Sequence, residues 1–186
     1  TLSHNTPAPL IMLDEGDQFF LNLSNVGMVM RPDLFDPHTI HYHGFPEASA
    51  VFDGVPDDSI SINMGATLTY YYNVVAEGTY IWHCHVEATE HMEMGMIGNL
   101  YVRPKQNLLP DGTVLGSHNH SNPDHDDVDA VPGDDPLVGD KYAYNDGDGS
   151  TAYDVELPLL LTAFDSDFHD ASENTQPLPF AMMRDN

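Results

Sequence analysis

Basic residues are scarce in this chain. Five Lys and Arg stand against thirty Asp and Glu among 186 residues, for a formal net charge of −25. That balance excludes sequence-independent nucleic-acid binding, which needs cationic side chains to neutralise phosphates, and it argues against docking on anionic lipid. It implies a surface that attracts cations, consistent with a saline environment or with steering of metal-ion or cationic substrates. Cysteine is scarcer still. Cys84 is alone, so it has no disulfide partner within the chain, and a single cysteine neither supports nor excludes an oxidising compartment. No run of about 18 apolar residues occurs, so membrane insertion by a helix is not expected. The first residues, Thr1-Leu2-Ser3-His4, lack the charged start and apolar core of a secretory leader, so any signal peptide is expected to be absent from this chain.

What is present points to an all-β protein. Hydrophobic residues make up 41% of the chain, and its length suits one domain with a sizeable core, or a domain plus an appendage. Residues 9–104 read as a series of short strands. Phe19-Phe20-Leu21-Asn22-Leu23 follows a turn at Asp14-Glu15-Gly16-Asp17, and Ser59-Ile60-Ser61-Ile62-Asn63 alternates polar and apolar. The run from Thr67 to Val75 is rich in aromatic and β-branched residues. Residues 105–150 are dominated by Asp, Gly, Pro and Asn and read as a long acidic loop or linker that buries too little surface to offset its ordering entropy. Within it, Asp146-Gly147-Asp148 has the look of a calcium loop without the terminal Glu. An apolar strand is expected over Tyr153–Phe164. The expected organisation is therefore 1–104 as the folded domain, 105–150 as linker, and 151–186 as a C-terminal extension that starts a second domain.

The chemistry is concentrated in two segments. One is Trp82-His83-Cys84-His85-Val86, followed by His91 and Gly95-Met96. The other is His38-Thr39-Ile40-His41-Tyr42-His43-Gly44. Thiolate, imidazole and thioether are the ligands that select copper, and Cys with two His and a weak axial Met is the blue-copper set. In a strand, residues i and i+2 share a face. His41 and His43 therefore project together, as do His83 and His85, while Cys84 faces the other way toward His38, His91 and Met96.

His-x-x-His-x-His-Gly combined with His-Cys-His and a following His-x-x-x-Gly-Met resembles the multicopper oxidase family, over roughly residues 9–104. That resemblance implies a cupredoxin-like Greek-key β-sandwich or barrel. It implies type 1 copper on His38, Cys84, His91 and Met96, type 2 copper on His41, and paired type 3 coppers on His43, His83 and His85. It implies laccase-like chemistry: one-electron oxidation of a phenol, aromatic amine or low-valent metal ion, coupled to reduction of dioxygen to water. Asp53-Gly54-Val55-Pro56 resembles the family segment whose carboxylate assists proton delivery; equally, Asp53 only initiates a turn before Gly54. The stretch Val86–Glu90 between His85 and His91 is longer by two residues than in the common laccase pattern.

A trinuclear centre needs eight histidines, and the motifs here supply four. By the same resemblance, the other four come from a complementary cupredoxin domain or chain, in a homotrimer of extracellular or periplasmic location. A rival source is Ser117-His118-Asn119-His120 of a neighbouring copy. His4, His125 and His169 read as solvent-exposed, and Met28, Met30, Met92 and Met94 as space-filling. Two alternatives remain. In a copper nitrite reductase, His43 and His85 are surplus. A non-enzymatic blue-copper electron carrier needs only one histidine of the first motif.

Overall fold

The computed structural model describes residues 7–27, 36–122 and 139–173. Two layers of strands enclose one core. The first layer is a four-stranded sheet ordered β1 (Ile11–Asp14), β6 (Ile97–Arg103), β5 (Gly78–His83) and β3 (His41–Tyr42). β1 and β6 run parallel, and the other pairs are antiparallel. The second layer pairs β2 (Gln18–Ser24) with β4 (Thr67–Asn73) across seven residues. Their alternation follows the sequence: Phe19, Leu21 and Leu23 point inward from β2, and Leu68, Tyr70 and Tyr72 from β4. Between the layers lie Ile40, Tyr42, Phe45, Ile62, Tyr70, Tyr72, Val74, Trp82, Leu100 and Val102, all buried. This is the cupredoxin-like β-sandwich that the motifs imply.

Aromatic packing fixes the strands that carry the motifs. Tyr72 meets Tyr42 edge-on at 5.4 Å between ring centroids and lies nearly parallel to Tyr70 at 6.3 Å. Pairs of this kind contribute about 0.5–1.5 kcal/mol each beyond their burial. Trp82 pairs in register with Gly98, and a Cβ at Gly98 would come within 2.8 Å of its indole nitrogen. The absence of a side chain there seats Trp82, and with it the end of β5 at His83.

The segment at 59–63 contributes less sheet than its alternation suggests. Only Ile62 pairs, as an isolated bridge to His38 with reciprocal backbone hydrogen bonds of 3.1 and 2.9 Å. That bridge is what holds His38 in place.

The described part of 105–150 is partly ordered. Two small hairpins form, β7 (Val114–Leu115) with β8 (His118–Asn119), and β9 (Lys141–Tyr142) with β10 (Ala152–Tyr153). Side-chain hydrogen bonds replace a large apolar core. The Asp146 carboxylate accepts from the backbone N–H groups of Asp148, Gly149 and Thr151, from the Thr151 hydroxyl and from Gln106 Nε2. Asn107 and Asn122 cross-link the same region. With its oxygens turned toward N–H and O–H donors, Asp146 ties these hairpins together.

The strand expected at Tyr153–Phe164 also differs. Only its first residue is in a strand, and residues 154–165 run without regular structure along the outer side of β6. There Arg103 meets Glu156 at 3.3 Å, and Asn99 Nδ2 donates to the Leu159 carbonyl. The alternating Val155, Leu157, Leu159 and Leu161 stay exposed, because the described residues offer them no strand to pair with. α2 (Ser166–Glu173) then returns to α1 (Ala88–Glu93), with Phe168 buried and His169 half-buried, its Nδ1 3.2 Å from the Glu93 carbonyl oxygen.

Candidate metal centres

Both sites grow from one registration. His41 on β3 lies opposite His83 on β5. The His43 N–H donates to the Ile81 carbonyl and the His85 N–H to Thr39 Oγ1, which extends the pairing past the regular strands. Alternation then separates the side chains as the sequence implies.

On one face the four imidazoles gather. His43 Nε2 and His83 Nε2 are 2.8 Å apart, and one nitrogen each of His41, His43 and His83 fall within 4.8 Å of one another. The His85 ring lies 5.0 Å from that of His41 and stacks at 5.6 Å on that of His83. Backbone carbonyls set two tautomers: His83 Nδ1 donates to the Cys84 carbonyl and His41 Nδ1 to the Asp53 carbonyl, each at 2.7 Å. Nε2 of each ring is thereby left unprotonated as the ligand atom, that of His83 accepting from His43 Nε2, and fixing the tautomer is the usual device for orienting metal-binding histidines. Burial, together with the neighbouring imidazoles, lowers the pKa of His43 and His83 below the ordinary histidine value. That favours the neutral, metal-binding form.

Asp53 enters this site through its backbone as much as its carboxylate. Its Oδ1 is 3.5 Å from His41 Nδ1, farther than its carbonyl oxygen. Gly54 makes this approach possible. Its φ is +80°, and a Cβ would sit 2.0 Å from the Ile40 carbonyl oxygen.

On the opposite face Cys84 is fully buried. Its Sγ lies 3.1 Å from His91 Nδ1 and 3.9 Å from His38 Nδ1, and these two nitrogens are 3.4 Å apart. The three atoms surround a centre roughly 2 Å from each of them, the length of a bond from a nitrogen ligand to a first-row ion such as zinc. The donor set and its spacing fit a copper ion. Met96 is held by its backbone: its N–H donates to the His91 carbonyl and its carbonyl accepts from Cys84 N–H. α1 absorbs the long interval between Cys84 and His91. It is preceded by its cap Glu87, in the left-handed region at φ 45°, and carries His91 in its last turn.

Burial raises the pKa of the Cys84 thiol, but contacts with His38, His91 and the Thr39 N–H outweigh it and hold it at about 6. His91 answers in the other direction. Burial disfavours its charge, yet Asp36 and the Cys84 sulfur push it up to about 10.

Asp36 was not evident from the sequence. Its Oδ1 lies 2.9 Å from His91 Nε2 and its Oδ2 3.8 Å from His38 Nε2. A carboxylate two residues before the first motif histidine was the available signal. The other histidines stand apart. His118 Nε2 is 2.8 Å from Asp140 Oδ2, and His120 is buried against Tyr142. His120 is thus turned inward, whereas His118 is partly exposed and paired with Asp140. His4, His125, Met28 and Met30 lie outside the described residues.

A buried thiolate flanked by two imidazoles, inside a two-layer β fold, defines the blue-copper class of site. The chain belongs to the multicopper oxidase family, a copper-binding family whose profile, described as multicopper oxidase, matches residues 1–107. It is 31% identical over 113 residues to multicopper oxidase MCE of Talaromyces pinophilus, covering 60% of this chain and 17% of that protein. It is 32% identical over 115 residues to Laccase-1 of Emericella nidulans, covering 59% and 17%. The matched part thus amounts to about a sixth of the length of these relatives. A copper-containing nitrite reductase of Neisseria meningitidis is more distant, 28% identical over 109 residues, covering 58% of this chain and 26% of the reductase. Among solved structures, the blue copper oxidase from Nitrosomonas europaea is 40% identical with a TM-score of 0.47, covering 54% of this chain and 30% of that one.

Proposed function

We propose that this chain is the type 1 copper domain of a laccase-like oxidase and carries half of its trinuclear copper site. The observation that carries the reading is the pair of donor sets back to back on one strand end, thiolate and imidazoles on one side and four imidazoles on the other. His38, Cys84 and His91, with Met96, would hold type 1 copper. His41 would hold type 2 copper, and His43, His83 and His85 the type 3 pair. Bound copper supplies one-electron oxidation of a phenol, aromatic amine or low-valent metal ion, and four-electron reduction of dioxygen to water.

The residues of the chain supply orientation and connection. Peptide bonds link Cys84 to His83 and His85, and the His83 Nδ1 hydrogen bond to the Cys84 carbonyl adds a second path between the two faces. Burial of Cys84 keeps water from the sulfur. Asp53 Oδ1, beside His41 Nδ1, is the group suited to hold a proton for oxygen reduction. A second cupredoxin domain or a neighbouring subunit of a trimer supplies the missing histidines, and secretion fits the reading. Among the described residues no helix is long and apolar enough to cross a membrane.

The similarity to nitrite reductases favours a second reading with a single type 2 copper, but that leaves His43 and His85 without a role. Dioxygen uptake and nitrite reduction, measured on the copper-loaded protein together with its complementary domain, separate the two. The proposal expects one dioxygen consumed per four electrons donated by a phenol, with no peroxide released. Nitrite turnover without dioxygen uptake would overturn it.

A further inference from the structure

We propose that Asp36 is a positioning residue for type 1 copper, a carboxylate that braces His91 from behind and lies within ion-pair reach of His38. This rests on the assignment of His38, Cys84 and His91 as the type 1 ligands. Each of the two imidazoles turns Nδ1 to the Cys84 sulfur and Nε2 to Asp36. The Nε2 distances are 2.9 Å for His91 and 3.8 Å for His38. The carboxylate oxygen facing His91 is shielded from solvent and, although close to Nε2, lies off the line of a hydrogen bond to it, so the contact is an ion-pair approach.

Asp36 is itself anchored. Its carbonyl accepts from Asn25 Nδ2 at 2.7 Å, and the same amide nitrogen donates to the Ile62 carbonyl at 3.0 Å. Asn25 is buried, and Pro37 fixes the backbone that follows. The tether therefore runs from the core through Asn25 and Asp36 to His91.

His91 needs such a tether more than His38 does. His38 is pinned by its backbone bridge to Ile62, whereas His91 sits on a short helix entered through the strained Glu87. Glu87 is no substitute. Its Oε2 is 4.0 Å from His91 Nε2, and its side chain is mostly exposed. A carboxylate behind a ligating imidazole fixes the ring orientation and raises its basicity, and removing such a partner costs about 10–100-fold in metal affinity or activity. A fixed negative charge also favours the cupric over the cuprous state, which lowers the reduction potential.

The test compares the native protein with D36A and D36N by copper titration, visible absorption, EPR and redox titration. D36A removes the brace and should lose about 10–100-fold in type 1 copper affinity, with a shifted thiolate-to-copper band. D36N keeps an acceptor oxygen but not the charge. It should retain the band and more of the affinity, with a raised potential. Native affinity, band and potential in D36A would overturn the proposal. If D36A fails to fold, an unchanged potential in D36N overturns it. If the native protein itself binds copper without a thiolate band, the ligand assignment falls, and the role of Asp36 with it.

Discussion

His41 stands directly across the sheet from His83, and this one registration decides which face of the strand end carries which chemistry. Slipping β3 against β5 by one residue would exchange the faces and turn His41 and His43 away from His83. The core prevents it. Tyr42, the neighbour of these histidines on the inward face of β3, is buried against the core and would be driven out of the sandwich.

The two sites should therefore fail independently. Cys84→Ser should abolish thiolate-to-copper absorption while copper still binds the imidazole face. His43→Gln should weaken copper at that face and leave the thiolate band unchanged. Copper titration of the two variants, followed by absorption and EPR, checks both outcomes.

Gly54→Ala should destabilise the protein and loosen His41. A Cβ there meets the Ile40 carbonyl at 2.0 Å, and a left-handed non-glycine residue alone costs about 1–3 kcal/mol. The expected loss is at least that large, read as a lower denaturation midpoint. A fall in copper affinity at the imidazole face should accompany it.

The metal-free protein should lose stability as pH falls below the ordinary histidine pKa of about 6.5. In the unfolded chain His43 and His83 take up protons there. In the folded cluster their pKa values are lowered, so the unfolded state binds more protons and acid favours it. Denaturant midpoints measured downward from pH 7 should show the decline, and His43→Gln should flatten it.

Because Cys84 is the only cysteine, its titration is read without ambiguity. Ultraviolet absorption of the metal-free protein should show the thiolate disappearing near pH 6, where the folded pKa lies, and not near the usual value of about 8.5. Unfolding should restore the ordinary value.

Much of this architecture was legible in the sequence because strands repeat every two residues. The alternation of His83, Cys84 and His85 sorted the ligands onto two faces, and the β2 and β4 patterns marked the inner side of the sandwich. Asp36 was not legible, since its contact with His91 depends on how α1 folds the 86–90 segment back and on a tether from Asn25. The order within 105–122 and 139–153 was not legible, because polar side chains supply it. Asp146 collects N–H donors there that no hydropathy pattern registers. At 154–162 the period-two apolar signal is real, but among the described residues no strand pairs with it.

The most direct test of the central claim is a copper titration of the native protein, monitored by visible absorption and EPR. The account expects one equivalent to develop the thiolate-to-copper band with a type 1 signal, and further copper to bind the imidazole face without altering that band. A single class of copper, whose thiolate band disappears when His41 or His43 is replaced, would contradict the two back-to-back sites.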